Sequence, residues 1–341
     1  MQENTLPSKS ICCFGELLLR FSPEMQGVFI QKNSMPVFVG GAELNAATAL
    51  ALWQQPVKYV TALPDNYLTS EIVDFIQQKN IDATGIKYSG ERIGSYYLPQ
   101  GKDLKNNAVI YDRNYSSFSQ LKPGDINWND VLENVSWFHF SAISPALNEN
   151  AVAVCKEALK AAASKNITIS VDLNYRAKLW QYGKQPVEVM PELAQYCKVI
   201  MGNLWSVESL LGIPSPIKES TGQSKEALVQ AAGESMMQLH KQYPSATHFA
   251  YTFRLDKEYF AVLQEGAQMA VSDQYPIGQV VDKVGSGDCF MGGLIYGIRN
   301  QHAPQDTINF SAAAAIAKLQ QVGDATTSSI THIQQIIKNN G

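Results

Sequence analysis

The chain has 341 residues, 45% of them apolar, with 27 basic against 31 acidic side chains and a formal charge of −4. That length can bury a large core, and the lack of basic clusters or a membrane-length apolar run argues against a nucleic-acid or membrane partner. Five scattered cysteines with no Cys-x-x-Cys pair, five isolated histidines and a polar 1–10 segment give no disulfide framework, zinc site or signal peptide, so a cytoplasmic enzyme is expected.

In chain order, the β-prone run 11–19 reads as a strand, the Ala/Leu-rich stretch 42–53 as a helix and 57–63 as a strand. Segment 68–78 places Leu68, Ile72, Val73, Phe75 and Ile76 at helical spacing. Strands at 137–143 and 167–173 flank a helix at 150–163. A strand at 198–201, a helix at 227–240 and a strand at 248–253 continue the rhythm. Such alternation predicts a parallel sheet covered by helices on both faces.

Two stretches interrupt it. Segments 21–39 and 90–118 carry short alternating runs such as Ser95-Tyr96-Tyr97-Leu98, rich in turn residues and without helical period. They read as a small β-rich lid built from two excursions of a single domain spanning 1–341. A lid of this kind can cover a ligand, meet a second copy of the chain, or both. Towards the end, 258–263 and 268–271 are expected to pair antiparallel through a turn at Glu265-Gly266. Helices are expected at 289–298, 310–321 and 331–338.

The segment Val281-Asp282-Lys283-Val284-Gly285-Ser286-Gly287-Asp288 carries the most chemical information. Two glycines around one small residue, just before an apolar helix, let successive backbone amides converge on one point at a helix N-terminus. Unpaired N–H groups and the positive end of the helix dipole make such a point an anion site. Asp288 follows at once, and a carboxylate beside an anion site suits proton abstraction from an attacking hydroxyl. A dinucleotide fingerprint would need Gly or Ala where Phe290 stands, and a Walker loop would need Gly-Lys-Ser/Thr, which is absent.

Asp282-x-x-Gly285-x-Gly287-Asp288 resembles the C-terminal signature of the ribokinase-like (PfkB) carbohydrate kinases, and Gly40-Gly41-Ala42-x-x-Asn45-Ala46-Ala47 resembles their N-terminal one. Gly15-Glu16-Leu17-Leu18, Tyr111-Asp112-Arg113 and Asp172-Leu173-Asn174-Tyr175-Arg176-x-Lys178-Leu179-Trp180 are similar to the 2-keto-3-deoxygluconate kinase branch. The resemblance implies a ribokinase-like three-layer αβα sandwich with a mainly parallel sheet and a small β-rich lid. It implies an ATP- and Mg²⁺-dependent kinase acting on the C6 hydroxyl of a sugar acid; the β-rich excursions, paired with a second copy, predict a homodimer or larger assembly through the lid. A carboxylated substrate calls for fixed cations, and arginine's planar fork suits one.

Under that resemblance Asp288 is the general base, and the amides of Gly285, Ser286 and Gly287 face the transferring phosphoryl group. Gly40, Gly41, Asn45, Tyr97, Tyr111, Arg113, Arg176 and Asp324 are the implied sugar contacts, and Asn203, Thr252 and Arg254 the nucleotide contacts. No side chain is assigned as a metal ligand. Several positions depart from the family pattern. Ser206 stands where a magnesium-side Glu is usual, with Glu208 two residues late. Arg254 replaces a Gly, Lys283 a Thr and Ser286 an Ala. A kinase for a neutral sugar such as fructose or ribose, or a sugar-binding protein with little turnover, stays open on the residues alone.

Overall fold

The computed structural model describes residues 9–23, 28–30, 34–99 and 109–340, so parts of both expected lid excursions (24–27, 31–33 and 100–108) lie outside the described residues. The chain runs β1 (Ser10–Phe14), β2 (Leu18–Phe21), β3 (Val37–Gly40), α1 (Ala42–Leu52), β4 (Val57–Val60), β5 (Ala62–Leu63) and α2 (Tyr67–Gln77). Next come β6 (Ile81–Asp82), β7 (Lys87–Tyr88), β8 (Gly94–Tyr97), β9 (Ile110–Asp112), α3 (Trp128–Val131), β10 (Val135–Ser141) and α4 (Glu149–Ser164). β11 (Thr168–Asp172), α5 (Pro186–Ala194), β12 (Val199–Gly202), α6 (Leu204–Leu211), α7 (Lys225–Gln242) and β13 (His248–Arg254) follow. The last elements are β14 (Glu258–Glu265), β15 (Gln268–Val271), β16 (Tyr275–Pro276), α8 (Ser286–Arg299), α9 (Pro304–Leu319) and α10 (Ile330–Asn340).

Among the described residues the main sheet has ten strands, ordered β15-β14-β13-β12-β11-β10-β1-β4-β6, with β16 against β14. Every pairing from β13 to β6 is parallel, and β14 joins antiparallel to β13, β15 and β16. The parallel strands are buried on both faces, which is why they read as continuous apolar runs rather than alternating ones. One face carries α3 to α7, through Val154, Met190, Leu210 and Met236. The other carries α1, α2, α8, α9 and α10, through Leu50, Ile72, Phe290, Ile316 and Ile333. This is a three-layer α/β sandwich, as the strand–helix rhythm predicts.

Helices α8 and α9 pack closely because Gly293 and Gly297 lie against Ser311 and Thr307, where a Cβ on either glycine would approach within 3.0 Å. That contact brings the start of α8 and the loop after α9 to the same end of the molecule.

The strand expected at 11–19 is two strands. β1 stays in the main sheet, whereas β2 leaves it after Gly15–Leu17 and joins a four-stranded lid sheet, β3-β2-β8-β9. Both halves are apolar and mostly buried, so periodicity could not separate them. The strand expected at 57–63 divides likewise into β4 and β5, the latter pairing with β7. α8 starts at Ser286, taking the glycine turn into its first turn, and α9 starts at Pro304, a residue suited to a helix's first position.

Candidate active site

The carboxyl ends of β1, β10 and β11 reach the N-termini of α1 and α8, where Gly15 and Ser141 meet Glu43 and Asp172 feels the Asp288 charge, the usual ligand end of an open α/β sheet. Gly285 caps α8 with φ 80°, in the left-handed region, and a Cβ there would run into the Asp324 carbonyl oxygen. Only glycine fits both restrictions. Nothing lies within 4 Å of a Cβ built on Gly287, which is exposed, so the start of α8 is open to a ligand. That is the shape an anion needs at a helix N-terminus.

Asp288 sits in the first turn of α8 and is buried. The Asn45 amide Nδ2 donates to its Oδ2 at 2.7 Å. Burial pushes the Asp288 carboxyl up to about 6, against the Asn45 hydrogen bond and the Arg176 charge, which favour the ionised form. The acid is therefore poised just below neutral pH, where it can ionise and still accept a proton. Asn45 Oδ1 is buried and accepts no hydrogen bond among the described residues, a polar atom left for a ligand hydroxyl.

Asp324 flanks the same point. A Cβ on Gly40 would strike its carboxylate, so the Gly40 backbone and Asp324 close one wall together. Gly41, with φ 127°, turns the chain into α1 against the Glu16 carbonyl. Tyr96 donates its hydroxyl to Asp324 Oδ2 at 2.7 Å. Neighbouring strand residues face opposite ways, so Tyr97 lies on the other side of the lid, stacked on Phe21 at 5.3 Å between ring centroids. Thus Tyr96 meets Asp324, while Tyr97, expected as a sugar contact, packs on Phe21. Tyr111 lies opposite Tyr96 in register and 5.8 Å from the Arg113 guanidinium, on the inner face.

The two arginines expected to receive a carboxylate are placed differently. Arg113 is buried and donates from Nε to Glu16 Oε2 at 2.8 Å and from Nη2 to the same oxygen, while Ser116 Oγ donates to Glu16 Oε1. Arg176 is exposed, donates to the Tyr175 carbonyl at 3.0 Å, and its charge favours ionisation of both Asp172 and Asp288. On the neighbouring strands, Asn203 and Thr252 follow the register pair Gly202–Tyr251, side by side. Asn203 caps α6, accepting from the amides of Trp205 and Ser206 at 3.1 and 2.9 Å. Ser206 completes the cap by accepting from the Asn203 amide at 2.9 Å, so the residue that departs from the family pattern has a local structural partner. Arg254 is exposed at the end of β13, opposite Tyr259.

Sequence reasoning gave no role to several charged residues near this point. Glu43 is fully buried, its carboxylate accepting from the Ser141 amide and hydroxyl at 2.9 and 2.6 Å, and burial raises it to about 7. Asp172, at the end of β11, is pushed well above the usual range by burial and by the Asp288 charge. Arg20 and Lys318 are buried cations on β2 and α9. A charge inside an otherwise apolar run was the available signal, because such a charge must be paired.

A family model described as the pfkB family carbohydrate kinase matches residues 8–331. The chain belongs to this family. It is thus a carbohydrate kinase, an ATP-dependent phosphotransferase of ribokinase-like fold. This PfkB kinase is similar to the 2-dehydro-3-deoxygluconokinase of Thermotoga maritima, whose crystal structure superposes with a TM-score of 0.86 at 32% identity, covering 97% of this chain and 99% of that one. A PfkB family carbohydrate kinase from Listeria grayi superposes at 0.83 with 27% identity, over 97% and 99% of the two chains. The 2-dehydro-3-deoxygalactonokinase of Haloferax volcanii is 23% identical over 325 residues, 95% of either chain.

Proposed function

We propose that this PfkB kinase transfers the γ-phosphoryl group of ATP to the C6 hydroxyl of 2-keto-3-deoxygluconate. Asp288 takes the hydroxyl proton, and the amides of Gly285, Ser286 and Gly287 stabilise the charge that builds on the transferring group. The reading rests chiefly on Asp288, a buried carboxyl held by Asn45 at 2.7 Å beside the open N-terminus of α8 and titrating near 6. Asn45 Oδ1 and the inner wall of Gly40, Gly41, Tyr111 and Asp324 hold the sugar's hydroxyls. Arg176 is the cation open to the substrate carboxylate, whereas Arg113 is buried and fixed by Glu16. A 2-dehydro-3-deoxygluconokinase and a 2-dehydro-3-deoxygalactonokinase are among the proteins this chain is similar to, which supports the same substrate class.

Asn203, Thr252 and Arg254 form the nucleotide side. A Mg²⁺ would be held by the nucleotide's phosphates and by water, where it would neutralise phosphate charge. The five cysteines are all unpaired and buried, which supports a cytoplasmic setting. No helix of the described residues is long and apolar enough to cross a membrane. The outer face of the lid carries Phe21, Val37, Tyr97 and Ile110 in cross-strand register, and we assign it to contact with a second copy. A monomer in solution scattering would refute that assignment.

The pairing of Arg113 with Glu16 supports a second reading, a kinase for a neutral sugar, because it leaves one arginine fewer to meet a carboxylate. A coupled ADP-release assay separates the two, comparing 2-keto-3-deoxygluconate, gluconate, fructose and ribose, with Asp288→Asn as control. Selectivity for the keto acid and a loss of roughly 10²- to 10⁴-fold in Asp288→Asn are expected. Faster turnover of fructose or ribose would overturn the sugar-acid reading.

A further inference from the structure

Arg20 lies on the lid strand β2, yet its side chain is fully buried. Its guanidinium forks onto Asp282, with Nη2 at 2.5 Å from Oδ2 and Nη1 at 3.3 Å from Oδ1. Its Nε lies 2.7 Å from Asp324 Oδ1, and its plane covers the Phe38 ring at 4.6 Å. Tyr96, directly across from Arg20 in the lid sheet, holds the other oxygen of Asp324. Two adjacent lid strands therefore each place a donor on the acids of the main domain.

Those acids hold the anion turn. Asp282 Oδ1 accepts from the Val284 amide at 3.1 Å and Oδ2 from the Gly323 amide at 3.3 Å, tying the segment that enters Gly285 to the loop that carries Asp324. The Asp324 carbonyl in turn occupies the space a Cβ on Gly285 would need. Lys318 donates to the main-chain carbonyls of Asp282 and Gln321 at 3.4 and 3.2 Å from below. Burial opposes the Arg20 charge, but Asp324 and Asp282 outweigh it, so the guanidinium stays charged. A buried ion cluster adds little net stability over apolar packing, so stability alone is a weak account of it. Its geometry instead links the lid to the turn whose amides face the phosphate.

We infer that Arg20 is a positioning residue: through Asp282 and Asp324, and with Tyr96, it holds the Gly285–Gly287 turn in its anion-binding shape when the lid strand is seated. The inference rests on the anion-site reading above but not on the identity of the sugar. A lysine carries the charge without the fork and reaches only one of the two carboxylates.

The test compares wild type with Arg20→Lys, Arg20→Met and Tyr96→Phe. Steady-state kinetics use whichever acceptor of the panel wild type turns over fastest, so failure of the sugar-acid reading leaves this test intact. Calorimetry measures binding of ADP and of a non-hydrolysable ATP analogue, and needs no acceptor. A folded Arg20→Lys should lose roughly 10- to 100-fold in kcat, the scale of a catalytic group displaced by about 1 Å. It should also lose affinity for the analogue while keeping that for ADP. A merely structural role predicts equal weakening of both nucleotides, or unchanged kcat per folded molecule, and either result overturns the inference. Should neither Arg20 variant fold, Tyr96→Phe decides, since it removes one hydrogen bond and keeps the ion cluster. Unchanged kcat and unchanged preference for the analogue over ADP in that variant would also overturn it. If wild type itself showed no preference for the analogue, the anion-site reading would fall first, and separately.

Discussion

Asn45→Leu removes the 2.7 Å hydrogen bond to Asp288 with nearly the same side-chain volume. A hydrogen bond to a charged group is worth about 1.5–3 kcal/mol, and at about 1.4 kcal/mol per pH unit its loss should raise the acid limb of kcat/KM by roughly one to two units. The starting point is near 6, where the burial of Asp288 and its partners place it. The base must be ionised to act, so rate is present above its pKa and is lost as pH falls through it. Relative to wild type, the variant should lose roughly ten- to fiftyfold more at pH 5.5 than at pH 8.5. Loss of a sugar contact from Asn45 Oδ1 would add a penalty that does not vary with pH. The assay is kcat/KM for the preferred sugar between pH 5 and 9, with saturating Mg-ATP. A deficit of the same size at every pH would refute the argument, for it would mean that Asp288 is not the titrating base.

Three further outcomes are expected. Glu43 titrates at 4.5 when free and at about 7 in the fold. The folded state therefore keeps a proton that the unfolded state has lost, and this group's contribution to stability falls as pH rises through that window. Glu43→Gln preserves an acceptor for Ser141 and should gain up to about 3 kcal/mol on wild type between pH 5 and pH 8 by urea unfolding; a difference that stays flat would exclude the buried ionisation. Gly285→Ala, with φ 80° and the Asp324 carbonyl in the way, should lower both stability and kcat, whereas Gly287→Ala, with nothing within 4 Å, should keep its unfolding midpoint and lose turnover by filling the phosphate's space. Equal stability of the two variants would contradict the packing argument. Ser206→Ala removes half of the α6 capping box and should lose about 1 kcal/mol with kcat unchanged. A drop in kcat at unaltered stability would give Ser206 a direct part in nucleotide handling.

The sequence by itself determined the strand–helix alternation, and with it a parallel sheet between two helical layers, because strands buried on both faces appear as uninterrupted apolar runs. It also determined the Gly285 turn and Asp288, since a left-handed cap at a helix start demands glycine and leaves its mark within a few residues. Asn45 was legible only as part of a local pattern. That its Nδ2 would point at Asp288, 243 positions away, was not. Tertiary structure alone decided where β1 ends and the lid begins, because both segments are apolar and their burial differs only in which sheet receives them. It decided that Tyr96 rather than Tyr97 meets Asp324, because a one-residue choice of register on a short strand reverses every side chain. It also gave Arg113 its Glu16 partner and Arg20 its two carboxylates, pairings between residues 97 and 262 positions apart for Glu16 and Asp282. Charge compensation in a buried site is a property of spatial neighbours, and a linear pattern can show that a charge needs a partner without showing which one the fold supplies.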